Sequence, residues 1–240
     1  MKSDLLKYDL GPGAESFTTM RDAALPCPVV IGHQVHGCRV AKVDRPDLTR
    51  EDLEGYDALI TNLQVAIGVR TADCIPVLLN DPVHRAVAAI HAGWKGTVGK
   101  IVLQTVSEMT SVYGTTPSQL KAVIGPGISF DSFQVGEEVV RIFRDNGFPM
   151  ERIWRWNGSP QSGSMKGGHH IDLKSANRWL LEQTGIPASS IQVSEIDTYT
   201  DTRFFSARRE GQQCGRNVNA VRIVAFENGG NCPGTILRVL

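Results

Sequence analysis

Three short segments of the chain combine a metal-binding or reactive side chain with small or turn-forming residues. They are HQVHG at 33–37, TADCIP at 71–76 and HAGWKG at 91–96. Imidazole nitrogens and a cysteine thiolate are donors that zinc prefers in proteins, because zinc is a borderline-soft cation. His36, Cys74 and His91 are therefore the candidate ligands of one zinc ion.

Three protein ligands leave a fourth coordination position open, which distinguishes a catalytic zinc site from a structural one. Zinc in such a site lowers the pKa of a bound water toward neutrality. Asp73 lies next to Cys74 in the sequence and is the candidate general base or proton shuttle for that water. Copper is the alternative metal, since it binds such donors more tightly than zinc does.

Spacing alone does not establish this site. A cysteine at a strand end is more often a packed residue than a ligand, and a histidine after a strand is more often a hydrogen-bonded structural residue. The sequence separations between the three candidates are too long to match the compact Cys-x-x-Cys patterns that identify zinc sites. A metal-free alternative has Cys74 as a nucleophile with His91 or His36 as its base.

Short apolar runs predict the strands that would bring these residues together. Several runs are apolar at every position, as is typical of strands covered on both faces. The TADC segment follows the run at 66–69 and His91 follows the run at 86–90, and such strand ends are where ligands commonly bind in α/β sheets. The predicted strands are 29–31, 66–69, 77–79, 86–90, 122–124, 191–193 and 221–226.

Three segments have the 3.6-residue periodicity of helices. They are 100–113, 136–146 and 173–183, and Asp172 is the expected N-cap of the third. The polar, glycine-rich stretch at 157–168 is either a mobile loop near a site or an insertion. Because neither side of this stretch is expected to fold alone, we predict one domain over residues 1–240.

The composition limits the class of partner. The chain has 240 residues with 25 basic and 25 acidic side chains, so no net field attracts nucleic acids or membrane surfaces. No apolar stretch approaches the roughly 20 residues that span a bilayer, and the first residues lack the apolar core of a secretory signal. Five cysteines without a framework spacing favour reduced thiols. These features predict a cytoplasmic protein that binds neither nucleic acid nor membrane.

The motifs together resemble one protein family. The strings VRTADCIPVLLNDP, AVAAIHAGWKGTVGKIV, AVIGPGIS and FFSARREG occur in the order that is typical of the YfiH family, also called the laccase-domain or polyphenol oxidoreductase-type family. The resemblance covers most of the chain. It implies a mixed-sheet α/β sandwich with layers in the order α/β/β/α. It also implies that His36, Cys74 and His91 are the metal ligands.

The same resemblance implies an activity. Members of the family are purine nucleoside phosphorylases that act on adenosine, inosine and S-methyl-5'-thioadenosine and that also deaminate adenosine, so the partners would be a purine nucleoside and inorganic phosphate. Three positions depart from the family pattern. Asp197 lies where a cysteine is common, and Phe133 and Gln134 replace a tyrosine and a glutamate. The preferred nucleoside and the oligomeric state are therefore left open.

A phosphorylase needs a site for phosphate, and arginine binds phosphate oxygens through paired, charge-assisted hydrogen bonds. The candidates are Arg208 and Arg209 with the neighbouring Ser206, and Arg70 ahead of the TADC segment. Adjacent arginines are more often a solvated surface, and Arg70 is also consistent with a buried salt bridge.

Three other functions remain open from the sequence. A copper-dependent, laccase-like polyphenol oxidoreductase fits the older family name, although a multicopper oxidase needs many more than the 6 histidines present. The second is a metal-free Cys/His hydrolase. The third is a cell-wall-editing factor with a structural zinc, which the open coordination position argues against. The leading hypothesis is a zinc-dependent purine nucleoside phosphorylase with adenosine deaminase activity.

Overall fold

The computed structural model describes residues 4–157 and 167–225. The strands, in chain order, are β1 (Leu5–Tyr8), β2 (Ala14–Thr19), β3 (Val29–Ile31), β4 (Val40–Lys42), β5 (Ala58–Thr61), β6 (Ala66–Thr71), β7 (Ile75–Asp81), β8 (Ala86–Ala92), β9 (Lys121–Ile124), β10 (Gln134–Val135), β11 (Trp154–Asn157), β12 (Gly168–Ile171), β13 (Ile191–Val193) and β14 (Asn217–Ile223). The helices are α1 (Trp94–Val98), α2 (Ile101–Tyr113), α3 (Glu137–Asp145), α4 (Met150–Ile153), α5 (Leu173–Gln183) and α6 (Ala207–Glu210).

Two large mixed sheets form the body of the fold. One has the strand order β13-β9-β7-β8-β5-β4, the other has the order β1-β2-β14-β6-β3, and a small third sheet has the order β10-β12-β11. Most neighbouring strands are antiparallel, whereas β3 with β6, β4 with β5 and β13 with β9 are parallel pairs. The expected mixed-sheet α/β sandwich is confirmed.

The central strands are apolar at every position because both of their faces are covered. On β7, Val77 and Leu79 belong to a buried cluster with the apolar faces of α2 and α5. Leu78, between them, belongs to a second cluster with Ile67 of β6 and Val221 of β14. Full burial of such a side chain contributes about 1.5–3 kcal/mol to the hydrophobic stabilisation. The six-stranded sheet therefore packs on helices with one face and on the five-stranded sheet with the other.

The three long helices lie where their periodicity predicts them. Asp172 is confirmed as the N-cap of α5, since its carboxylate accepts the backbone N–H of Ser175 at 3.0 Å. Helix α2 ends at Tyr113 and is capped by Gly114, whose φ of 75° is a left-handed conformation that glycine adopts without steric strain. Within the described ranges, no helix has the length and apolar character needed to cross a membrane.

All seven predicted strands are present; four of them extend one or two residues beyond their predicted ends, and one is corrected at both ends. The strand predicted at 221–226 begins earlier, as β14 at Asn217, and ends at Ile223. The buried polar residues Asn217 and Asn219 interrupt the apolar pattern at the start of this strand, so the sequence does not reveal where the strand begins. Asn219 accepts from the Thr18 hydroxyl at 2.7 Å and donates to the Thr71 hydroxyl at 2.9 Å. Position 226 lies outside the described residues.

The prediction for the glycine-rich stretch at 157–168 is also corrected at its two ends, which belong to strands. Asn157 ends β11 and Gly168 begins β12, and the two residues pair across an antiparallel ladder. Residues 158–166 lie outside the described part of the chain. The choice between a mobile loop near a site and an insertion depends on these residues and stays open.

Candidate metal centre

His36, Cys74 and His91 converge at one end of the six-stranded sheet. Cys74 immediately precedes β7, His91 lies near the end of β8, and the antiparallel register places Pro76 opposite His91. His36 comes from the loop between β3 and β4. The donor atoms of the three side chains all lie within 4.8 Å of one another. Zinc bonds of about 2.0–2.3 Å would require the farthest pair of donors to move closer together, and at these separations the three side chains could share one ion.

A buried carboxylate, Asp57, sets the orientation of His91. Asp57 directly precedes β5, and the pairing of β5 with β8 brings it to His91, whose backbone N–H donates to the Asp57 carbonyl at 2.8 Å. Its Oδ1 atom lies 2.7 Å from Nδ1 of His91, and both residues are buried. Because the carboxylate binds a protonated Nδ1, Nε2 is the ring nitrogen left to bind a metal.

The same carboxylate holds the loop that carries His36. It accepts the backbone N–H groups of Val35, His36 and Gly37 at 3.1, 2.9 and 2.9 Å. His36 has a φ of 61°, a left-handed conformation that a residue with a Cβ adopts where its surroundings enforce it. Sequence reasoning missed Asp57, and its one local signal is an acidic residue at the start of the apolar run DALI.

Cys74 and His91 form a charged pair. Burial raises the pKa of the Cys74 thiol, but the charge of His91 and hydrogen bonds from His36 and His91 outweigh burial and lower this pKa to about 6. Burial lowers the pKa of His91, but the Cys74 thiolate and the hydrogen bond to Asp57 outweigh it and raise this pKa to about 9. A metal ion arriving at pH 7 would therefore meet a thiolate and displace a proton from His91.

Gly93 leaves the space that the three ligands need. A Cβ atom at this position would lie 2.9 Å from Sγ of Cys74 and 3.2 Å from Cδ2 of His36, so any other residue would push a ligand aside. The donor set, the carboxylate behind His91 and this missing side chain all fit zinc. Nitrogen and sulfur donors also fit copper.

The three ligands lie in the wall of a large cavity. Its volume is about 1480 Å³, which exceeds the roughly 300–1,000 Å³ that is typical of small-molecule sites. The cavity therefore has room for more than one small molecule. Besides the ligands, the lining includes Arg70, Asp73, Trp94, Phe133 and Arg208.

Arg70 is exposed at the end of β6 and lines this cavity. Gln34 fixes its backbone, since Nε2 of Gln34 donates to the Arg70 carbonyl at 2.9 Å and Oε1 accepts the Arg70 N–H at 2.8 Å. Within the part of the chain that the structure describes, the Arg70 guanidinium has no hydrogen-bond or ion-pair partner. The alternative of a buried salt bridge is therefore not found there, and the group is available to an anion.

The structure separates the two adjacent arginines of the FFSARREG segment. Arg208 is exposed and lines the cavity, and among the described residues its guanidinium donates to the Gln134 carbonyl, at 3.1 Å. Arg209 does not line the cavity. Its guanidinium donates to the carbonyls of Thr198, Tyr199 and Phe204 and to the carboxylate of Glu210. Arg209 therefore holds the segment together, while Arg208 faces the cavity.

Ser206 and Asp73 are both buried and bind each other. The Ser206 hydroxyl donates to Oδ2 of Asp73 at 3.0 Å and accepts the N–H of Arg209 as the N-cap of α6. Asp73 also accepts the hydroxyl of Thr198 and the backbone N–H of Arg208, each at 2.7 Å. Ser206 is fully buried and absent from the cavity lining, so its polar contacts are made within the fold.

The other four histidines make separate contacts. His33 pairs with Glu54, His84 with Asp81, His169 with Trp154 and His170 with the Phe130 carbonyl. Across residues 4–157 and 167–225, the His36, Cys74 and His91 group is the one cluster of three or more His, Cys, Asp or Glu side chains that could hold a metal. A multicopper arrangement would need further clusters of this kind.

The fold and the site define an α/β sandwich protein with a His₂Cys candidate metal centre in the wall of a cavity. Residues 15–224 match the family model described as multi-copper polyphenol oxidoreductase laccase. The chain belongs to this family, which confirms the resemblance that its motifs indicate.

Named relatives carry two activities. The chain is 44% identical to a purine nucleoside phosphorylase of Bacteroides thetaiotaomicron, over 72% of this chain and 63% of that protein. It is 42% identical to adenosine deaminase RL5 from an unknown prokaryotic organism, over 80% of this chain and 74% of that protein. The crystal structure of the hypothetical protein YfiH from Bacillus licheniformis matches with a TM-score of 0.76 at 25% identity, over 88% of this chain and 93% of that one. The chain thus spans less than two thirds of the Bacteroides protein's length.

Proposed function

We propose that this protein is a zinc-dependent purine nucleoside phosphorylase with adenosine deaminase activity, acting on adenosine, inosine and S-methyl-5'-thioadenosine. One observation carries the proposal. A single cavity of about 1480 Å³ is lined by His36, Cys74 and His91 and also by Arg70 and Arg208. The names of the Bacteroides relative and of the RL5 relative support the two activities.

His36, Cys74 and His91 would hold the zinc, and Asp57 would keep His91 in the tautomer that binds it. Bound zinc supplies Lewis-acid polarisation and a water of lowered pKa. The chain contributes a fixed donor geometry, because Asp57 connects two of the three ligand-bearing segments through hydrogen bonds at 2.7–3.1 Å.

Phosphorolysis needs an anion beside the sugar, because a phosphate oxygen replaces the purine nitrogen on the ribosyl carbon. Arg70 and Arg208 offer two exposed guanidinium groups in the cavity wall, and a charged hydrogen bond is worth about 1.5–3 kcal/mol. We place Ser206 and Arg209 behind this phosphate site, since their polar atoms bind the protein. Deamination uses water in place of phosphate and does not need the arginines.

Two aromatic side chains of the cavity wall suit the purine. Trp94 and Phe133 are half-buried and line the same cavity as the ligands, and aromatic rings stack favourably with flat heterocycles. The general-base or proton-shuttle role of Asp73 stays a prediction. Its three hydrogen bonds leave about one of the four lone-pair directions of the carboxylate open.

A copper-dependent polyphenol oxidoreductase is the second candidate, because the family description names that activity. The ligands His36, Cys74 and His91 would serve copper as well as zinc. This candidate predicts copper in the purified protein and oxygen consumption with a phenol. A protein that contains zinc and does not oxidise phenols excludes it.

The proposal is tested by incubating the metal-analysed protein with a panel of nucleosides, with and without phosphate, and identifying the products by mass. We expect free purine and the 1-phosphate of the nucleoside's own sugar only when phosphate is present, and inosine from adenosine in either case. Intact nucleosides in both conditions, with zinc bound, would overturn the proposal.

A further inference from the structure

Asp73 joins two segments of the chain that meet at the cavity. It lies next to the candidate ligand Cys74 and is 9% exposed. Its Oδ2 accepts the backbone N–H of Arg208 at 2.7 Å and the hydroxyl of Ser206 at 3.0 Å, and its Oδ1 accepts the hydroxyl of Thr198 at 2.7 Å. Ser206 and Thr198 are fully buried. Two charge-assisted hydrogen bonds therefore attach the arginine-bearing segment to the TADC turn, and a third attaches Thr198.

The backbone of Asp73 is itself held in an unfavourable conformation. Its φ of 86° lies in the left-handed region, which residues with a Cβ occupy only when neighbouring contacts impose it. Its carbonyl accepts the N–H of Ile128 at 2.9 Å, and a Cβ at Gly127 would lie 3.0 Å from the same oxygen. The direction of the Asp73 side chain is thus fixed from the backbone side as well.

Arg208 depends on this attachment for its position. Within residues 4–157 and 167–225, the polar contact of its guanidinium is the bond to the exposed Gln134, and its Cζ atom lies 5.7 Å from the centre of the Phe133 ring. The backbone bond to Asp73 is shorter and less exposed. Asp73 therefore fixes the start of the side chain, while the guanidinium end can adjust to an anion.

We infer that Asp73 is a positioning residue that holds Arg208 at a set place relative to Cys74, so that the guanidinium meets phosphate beside the metal centre. The inference rests on the proposed phosphorolysis and assigns Asp73 a role different from that of a general base. A base has to reach the reacting group, whereas the two oxygens of Asp73 are bound by three donors of the protein.

The test is the Asp73→Asn protein, alone and combined with Arg208→Gln or Arg70→Gln. The amide cannot accept all three hydrogen bonds, so Arg208 loses its anchor. We expect the phosphate KM to rise roughly three- to tenfold with a smaller change in kcat and with metal content unchanged. In the double variant with Arg208→Gln, Asp73→Asn should cause no further rise in the phosphate KM, because both changes remove the contact of the Arg208 guanidinium with phosphate. In the double variant with Arg70→Gln, the two rises in phosphate KM should multiply.

Binding of inorganic phosphate, measured by calorimetry without any nucleoside, separates this inference from the proposed function. If phosphorolysis is absent but Asp73→Asn and Arg208→Gln weaken phosphate binding equally and without additivity, the positioning role stands and the proposed reaction falls. Unchanged phosphate binding in Asp73→Asn overturns the inference. A fall in kcat at saturating phosphate, with loss of the acidic limb of the pH profile, also overturns it in favour of a general base.

Discussion

The metal side of the cavity and its arginine side are held in different ways. The metal side consists of His36, Cys74 and His91, and there the buried Asp57 binds the ring of His91 directly and the backbone of the loop that carries His36. The arginine side consists of Arg70 and Arg208. There Gln34 and Asp73 bind the backbone of each arginine, and both guanidinium groups are exposed.

This difference corresponds to what each side has to bind. A metal ion needs donor atoms within a few tenths of an ångström of their final places, so the ligands are oriented in advance. A phosphate ion arrives with the substrate, and a guanidinium on a fixed backbone can adjust to it. Substitutions on the metal side should therefore affect binding of the metal, while those on the arginine side should affect only binding of the anion.

The largest effect is expected from Cys74→Ala, which removes the thiolate ligand. Elemental analysis should find about one zinc per chain in the unmodified protein and almost none in the variant, and both proposed activities should be lost. Cys214→Ala is the matched control, since Cys214 lines the same cavity but lies outside the ligand cluster. Equal metal content in the two variants would show that the ligands are misassigned.

Asp57→Asn should weaken zinc binding roughly 10- to 100-fold, as is typical when the hydrogen-bond partner of a ligating histidine is removed. The amide cannot accept all of the hydrogen bonds from His91 and the His36 loop. Competition with a chelator measures the affinity. Asp81→Asn is the control, because Asp81 is equally buried and binds His84. If both variants lose zinc alike, the effect is one of general stability.

Arg208→Gln should lower phosphorolytic efficiency about tenfold, near the lower end of the 1.5–3 kcal/mol of a charged hydrogen bond, because the group is exposed. Adenosine deamination should be spared. Arg209→Gln should lower the melting temperature with little change in phosphate KM, because its four hydrogen bonds hold the segment. Kinetics with varied phosphate decide this, and the reverse pattern would exchange the two roles.

The smallest effect concerns thiol reactivity after the metal has been removed with a chelator. The pKa of Cys74 is lowered to about 6, so its thiolate is present above about pH 6 and is lost below it. The pKa of Cys38 is raised by burial and by Asp57. At pH 7 iodoacetamide should modify Cys74 roughly fivefold faster than Cys38. The larger thiolate fraction of Cys74 speeds its reaction, but the lower basicity of this thiolate makes it a weaker nucleophile and offsets part of the gain. Mass spectrometry of the alkylated peptides measures both rates, and equal rates would contradict the charged pair.

The central strands and the three long helices were predictable, because burial leaves a local pattern. Every position of 77–79 is apolar since both faces of β7 are covered, and the stripe of α2 repeats every 3.6 residues. Strands with polar buried residues leave no such pattern. Asn217 and Asn219 begin β14 inside the fold, where only pairing with distant strands satisfies their amides.

The sequence predicts the three side chains that converge at the candidate site, but it does not predict the residues that support them. His36, Cys74 and His91 are marked by their residue types and motifs. Asp57 acts through strand pairing with a segment 34 positions away, and no sequence spacing reveals that. Arg208 and Arg209 are equivalent by type, and only their placement in α6 distinguishes Arg208, which faces the cavity, from Arg209, which does not. One domain over residues 1–240 and a cytoplasmic location stay predictions.

X-ray absorption at the zinc and copper K edges of the purified protein tests the metal centre most directly. We expect a zinc edge, one sulfur scatterer at about 2.3 Å and two imidazole nitrogens at about 2.0–2.1 Å, and almost no zinc edge from the Cys74→Ala protein. A copper edge, or a zinc spectrum without sulfur, would contradict a zinc ion held by His36, Cys74 and His91.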